Sequence, residues 1–164
     1  MTYTNGNNDL MVAWLRDAYA MEKALVPVLE NHARDAERHP EVRARLEQHA
    51  QETRRQADLV EQCLRQLGEE PSTFKNTISK VLGTIQSVAT SAFKDDEVKN
   101  ALQDFATENF EIACYRALIE GAKALQRPEI AQICEQILKE EEAMARFLEQ
   151  QLPTIVHDAL AVTA

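Results

Sequence analysis

Glycine and proline are scarce, with four and five residues in a chain of 164. A sheet protein with many tight turns needs more of both, so the scarcity points to helices. Basic residues are outnumbered, 18 Lys and Arg against 27 Asp and Glu, for a net charge of −9. That balance argues against binding the nucleic-acid backbone or an anionic membrane surface. No run of about 18 apolar residues occurs, so no membrane span is expected. The start, MTYTNGNNDL, lacks a basic stretch followed by an apolar one, and no signal peptide is expected. Three cysteines, Cys63, Cys114 and Cys134, are widely spaced and form no CxxC. They read as buried free thiols in a reducing compartment, which places the protein in the cytoplasm. GxGxxG, P-loop and nucleophile motifs are absent, and no strand pattern competes with the helical ones.

What is present is apolar periodicity. Apolar residues make up 45% of the chain, enough for one domain spanning 1–164 with a sizeable core. After a polar segment at 1–8, Met11, Leu15, Ala18, Leu25, Val26 and Leu29 mark a first helix to about Glu37. Pro27 is expected to kink it or leave one carbonyl free. Pro40 opens a second helix over about 40–67, stopped by Gly68 and Pro71. A long connection over 71–94 carries the pattern of a short amphipathic helix, bent near Gly83. The acidic cluster Asp95, Asp96 and Glu97 starts a third helix, running to about Gln126. A fourth covers about 128–151, and Pro153 is expected to end it before the tail 153–164. Two helix hairpins joined by one long crossover predict an all-α antiparallel four-helix bundle. Proline and glycine breaks argue against a long coiled coil.

The inward faces of these helices are not purely apolar. Successive residues turn by about 100°, which puts Leu15, Ala18, Val26 and Leu29 within about 40° of Glu22. The same count centres Glu108 among Ala101, Ile112, Tyr115 and Ile119, and Glu141 among Ile130, Cys134, Ile137, Ala145 and Leu148. On the second helix, His49 and Gln56 fall near the stripe centre and Glu52 on its edge. Glu111 falls on the edge of the third. Glu22 and Glu52 lie equally far from the first turn, and Glu108 and Glu141 almost equally far from the last. Each hairpin therefore sets one carboxylate opposite another. Several carboxylates in one core repel, and burying an unpaired one costs several kcal/mol or forces protonation. A pair of divalent metal ions removes both difficulties.

Four pieces of sequence carry a resemblance: LRDAYAMEKAL, HAQETRRQ, ENFEIACY and LKEEEAM, in that order along residues 10–150. With them the chain resembles the YciF-like branch of the ferritin-like superfamily, whose bundle is similar to that of rubrerythrin. The resemblance implies a ferritin-like fold, a site for two iron or manganese ions, often a homodimer, and a link to stress responses. By position it implies Glu22, Glu52, Glu108, Glu111 and Glu141 as ligands, with Glu52 bridging and His49 joining from one turn earlier. The sequence departs from the usual Glu-x-x-His on two helices. Arg55 follows Glu52 at that spacing, and Met144 follows Glu141. An oxygen-rich donor set suits manganese or iron and does not suit zinc or copper.

Structural readings stand beside these. Each glutamate alone is also consistent with a carboxylate paired with arginine, Arg54, Arg55 or Arg116 for Glu108 and Glu111. His49 reads either as a ligand or as a core histidine bonded to Glu52 or Tyr19. Gln56 reads as a hydrogen-bonding group, and Tyr19 and Tyr115 as partners of the ligands or ordinary core. His32, His39 and His157 read as solvent or turn histidines, and Trp14 and Phe105 as core. Two functions remain open. One is a dimetal-carboxylate protein reacting with dioxygen or peroxide, and the other is a non-catalytic dimeric bundle serving as a stress-linked scaffold with a vestigial or structural metal site.

Overall fold

A computed structural model of the protein describes residues 3–69 and 96–162. Among them are four helices and no strand: α1 (Tyr3–Asp35), α2 (Pro40–Gln66), α3 (Asp96–Ala124) and α4 (Pro128–Val162). Short links at 36–39 and 125–127 fold α1 onto α2 and α3 onto α4 as antiparallel hairpins. The hairpins then pack α1 on α3 and α2 on α4. His32 meets Asp104 while Glu22 meets Tyr115, so α1 and α3 run oppositely. His39 meets Asp158 while Gln56 meets Glu140, so α2 and α4 do too. It follows that α2 and α3 run in the same direction, the arrangement that a long crossover serves. The short helix expected at 71–94 lies outside the described residues.

Local chemistry accounts for the ends of the hairpins. Pro40 sits in the first turn of α2, where its missing N–H costs nothing. After α2, Gly68 has φ 85°, and the N–H groups of Gly68 and Glu69 donate to the carbonyls of Arg65 and Leu64. This doubly bonded helix end needs a left-handed residue, which glycine supplies without strain. The same pair of bonds closes α3, from Gln126 to Lys123 and from Arg127 to Ala122, but here the left-handed residue is Gln126, φ 56°. Its side chain makes that conformation unfavourable. Gln126→Gly is expected to stabilise the protein by about 1 kcal/mol, read as a higher urea midpoint at unchanged slope.

Four expectations are corrected. Helix α1 begins at Tyr3, within the segment expected to precede it. Periodicity marks where a helix packs, whereas backbone hydrogen bonding extends beyond that stretch. Pro153 lies inside α4 and does not end it. Proline forfeits a hydrogen bond to the carbonyl four residues earlier, but the turns beyond it are held by tertiary contacts. Ile155 is buried, Val156 and Ala159 pack on the core, and Asp158 reaches His39. Trp14 is 42% exposed and lies across Gly121, where an added Cβ would stand 3.2 Å from its ring. His32 and His39 are buried, not solvated. They belong to a clamp where the α1–α2 turn meets the start of α3 and the end of α4. His32 Nδ1 lies 2.7 Å from Asp104, and the His39 ring bridges Glu97 at 2.8 Å and Asp158 at 3.1 Å. Asp104 lies within about 40° of Glu108 by helical count, which is the signal that could have revealed Asp104 as an inward residue. His157 is exposed, and Phe105 is half-buried against the core.

The apolar core is split in two. One cluster, with Leu15, Leu25, Val60, Tyr115 and Ile137, fills the end near the α3–α4 turn. The other, with Leu29, Leu46, Ala101, Met144 and Leu148, fills the end near the α1–α2 turn. Between them lies a layer of buried polar side chains.

Candidate metal centre

Each helix contributes to that layer from its inward face. Glu22 comes from α1, His49, Thr53 and Gln56 from α2, Glu108 and Glu111 from α3, and Glu141 from α4, and all are buried. Helical spacing accounts for the alignment, since 108 and 111, like 49, 53 and 56, fall on one face.

His49 is the hub. Its Nδ1 lies 2.9 Å from Glu52 Oε2, and its Nε2 lies 3.1 Å from Glu108 Oε1 and 3.5 Å from Glu141 Oε2. His49, Glu108 and Glu141 each offer a donor atom within 4.8 Å of the others, the spacing that a metal ion requires. Tyr115 donates its hydroxyl proton to Glu22 Oε1. Thr53 ties down the helix beside the site by donating to the His49 carbonyl at 2.9 Å. Tyr19 is half-buried against the apolar cluster and near Glu61 and Asp58.

Glu52 is placed differently from the other carboxylates. It accepts hydrogen bonds from Arg45 at 3.0 Å and Gln48 at 2.8 Å as well as facing His49. Burial resists its charge, but those partners hold its carboxyl down to about 2. The structure thus brings Glu22, Glu108, Glu111, Glu141 and His49 into the buried layer and leaves Glu52 at its rim.

Arginine does not neutralise the centre. Arg54 pairs with Glu30, Arg55 with Glu140 at 2.7 Å, and Arg116 with Glu142 at 2.9 Å. Pairing of Glu108 and Glu111 with these arginines is therefore not what is found. Burial raises Glu22 and Glu111 well above the usual carboxylate range, and the charges of neighbouring glutamates add to it. Burial likewise pushes Glu108 up to about 8, against the pull of His49. Burial disfavours the His49 cation, yet the charge of Glu108 and the Glu141 and Glu52 carboxylates close to the ring raise its pKa well above the ordinary value. Oxygens are left over in the layer: Glu22 Oε2, Glu108 Oε2, both Glu141 oxygens and Gln56 Oε1 have no hydrogen-bond partner among the described residues. Buried acceptors without partners are rare in native proteins and call for an explanation such as an ion. The donor set of one imidazole and several carboxylates fits a hard divalent cation such as manganese or iron(II).

The cysteines take no part. All three are free, and burial pushes Cys63 up to about 12 and Cys134 further still, so both thiols are inert. No helix among the described residues is long and apolar enough to cross a membrane.

Four helices in two antiparallel hairpins, the second and third parallel, enclosing a layer of glutamates around an imidazole, have the ferritin-like fold. The chain belongs to the family described as Domain of unknown function (DUF892), whose profile matches residues 7–161. A protein of known structure from Xanthomonas campestris pv. campestris is 34% identical, with 96% of this chain and 98% of that one covered and a TM-score of 0.81. The E. coli stress protein YciF is 22% identical, with 96% and 99% covered and a TM-score of 0.75. Bacterioferritin of Desulfovibrio desulfuricans, a protein with a diiron site, is 19% identical, with 96% and 86% covered and a TM-score of 0.73. These last two likenesses establish the shared fold.

Proposed function

We propose that the chain is a dinuclear metal-carboxylate protein that holds two iron or manganese ions and reacts with dioxygen or peroxide. The observation that carries this reading is the buried layer itself: four glutamates around one histidine, no arginine among their partners, and oxygens left without hydrogen bonds. Glu22, His49, Glu108, Glu111 and Glu141 are the ligands in this reading. Glu52, which the resemblance implies as a bridging ligand, has another role in this reading: it holds the His49 ring and fixes which nitrogen faces the centre. When bound, such a pair supplies redox chemistry at a site closed to bulk water. The protein's own part is to hold the carboxylates in the apolar gap between two core clusters and to retain a proton on Tyr115 beside Glu22. The diiron site of the bacterioferritin neighbour supports the metal, and the stress-protein neighbour supports a stress-linked role. Free thiols support a cytoplasmic setting, and exposed Leu10 and Trp14, one turn apart on α1, support pairing with a second copy.

The experiment is metal analysis of the purified protein, calorimetric titration with Mn²⁺ and anaerobic Fe²⁺, and an oxidation assay. Two ions per chain and oxidation of Fe²⁺ by oxygen or peroxide are expected. Glu52→Ala should weaken binding about 10- to 100-fold while keeping two ions per chain. Loss of one ion would instead mark Glu52 as a ligand. A second reading is a scaffold with a structural metal site, favoured by the absence of Glu-x-x-His, since Arg55 and Met144 occupy the expected histidine positions. It predicts bound metal with no oxidation activity.

A further inference from the structure

We infer that Gln56 is a metal ligand through its side-chain carbonyl oxygen Oε1, an inference that rests on the dimetal reading. Gln56 is fully buried on the inward stripe of α2, two turns beyond His49. Its amide orientation is fixed from outside the layer. Nε2 donates at 2.9 Å to Glu140 Oε2, and Glu140 itself pairs with Arg55 at 2.7 Å. Turning the amide over would set Oε1 against that carboxylate, so the carbonyl oxygen is the end left for the interior. There Oε1 has no hydrogen-bond partner, like the oxygens of Glu22, Glu108 and Glu141. A neutral amide whose donor is satisfied and whose acceptor is orphaned lacks a positive partner, and a metal ion is one.

Charge balance points the same way. Glu22, Glu108, Glu111 and Glu141 bring four negative charges, matching two divalent cations. Glu52 is offset by Arg45 and Glu140 by Arg55. A further carboxylate on α2 would leave an excess charge buried in low dielectric, which is costly. Helix α2 therefore supplies the two neutral donors, the His49 nitrogen and the Gln56 oxygen. Carbonyl oxygen is a suitable donor for manganese.

The test compares wild type with Gln56→Leu by Mn²⁺ calorimetry and by melting without metal. One of the two ions should bind at least about tenfold more weakly in the variant. The metal-free melting temperature should not fall, because the orphaned acceptor is removed along with the bond to Glu140. Two ions bound as tightly as in wild type would overturn the assignment and leave the dimetal reading standing. No Mn²⁺ binding by wild type would overturn both. Should Gln56→Leu fail to fold, a titration of wild type with Mg²⁺, a hard and diamagnetic divalent cation whose binding is checked by competition with Mn²⁺, followed at the Gln56 side-chain carbonyl carbon decides. A downfield shift saturating with the bound ion is expected, and an unmoved resonance sinks the assignment.

Discussion

Glu108→Gln should abolish metal-linked stabilisation while leaving the metal-free protein more stable than wild type. In wild type, an ion present at a hundred times its dissociation constant adds about 2.7 kcal/mol, which is roughly 5–10 °C in melting temperature for a chain of this size. Glu108 is one of the three groups whose donor atoms already converge, so losing its charge should remove that gain. The metal-free gain has a separate origin. Burial holds Glu108 at about 8, so the folded chain suffers when the group ionises. Replacing it with an uncharged isostere removes that cost. His49 keeps Glu52 and Glu141 as partners, so no cation is stranded. A gain of about 1–2 kcal/mol without metal is expected. Scanning calorimetry of both proteins, with and without Mn²⁺, checks both halves. A metal-induced shift of equal size in the variant would remove Glu108 from the site.

The metal-free protein should be markedly more stable at pH 5 than at pH 8. Glu108 has a folded pKa of about 8 against an ordinary value of 4.5. Over that window the folded state binds the proton and the unfolded state does not, so stability falls as pH rises. For Glu108 alone the loss between pH 5 and 8 is on the order of 3 kcal/mol, about 10 °C. Burial raises Glu22 and Glu111 in the same sense, and they add to the loss. His49, raised above 6.5, contributes stability that is complete below that value and lost as pH rises through its folded pKa. Its sign is the same. Glu52, held at about 2, works the other way: its contribution is present above pH 4.5 and is lost as pH falls toward 2. The metal-free optimum therefore falls near pH 5. Bound metal should reverse the trend, since protons compete for the same oxygens and binding strengthens as pH rises. A metal-free melting temperature that rose from pH 5 to 8 would mean that the glutamates are not buried as described.

How much of this was legible in the sequence differs from element to element. Each stripe that carries Glu22, Glu108 or Glu141 is a local repeat, because helical geometry alone decides which residues share a face. That is why four helices, their short links and the burial of those three glutamates were legible without tertiary information. The inward placing of Glu111 and His49 was legible in the same way, whereas for Tyr115 the sequence left partnership with the ligands and ordinary core both open, and its bond to Glu22 decided it. Pro153 shows the limit of local rules. Its penalty is real, but the packing of Ile155 and the reach of Asp158 to His39 come from other helices, and they carry α4 to Val162. Trp14 sat at the margin of its stripe, and only the close approach of α1 to Gly121 decided that its ring lies outside. The clamp of His32 with Asp104 and of His39 with Glu97 joins residues about 60 to 70 positions apart, which no periodicity connects. Glu52 is the sharpest case. Spacing from the turn set it opposite Glu22, but Arg45 and Gln48 draw it to the rim, where it orients His49. Helical period determines which residues face the core; the competition among neighbouring side chains for each carboxylate, decided only when four helices meet, determines what each inward residue does there.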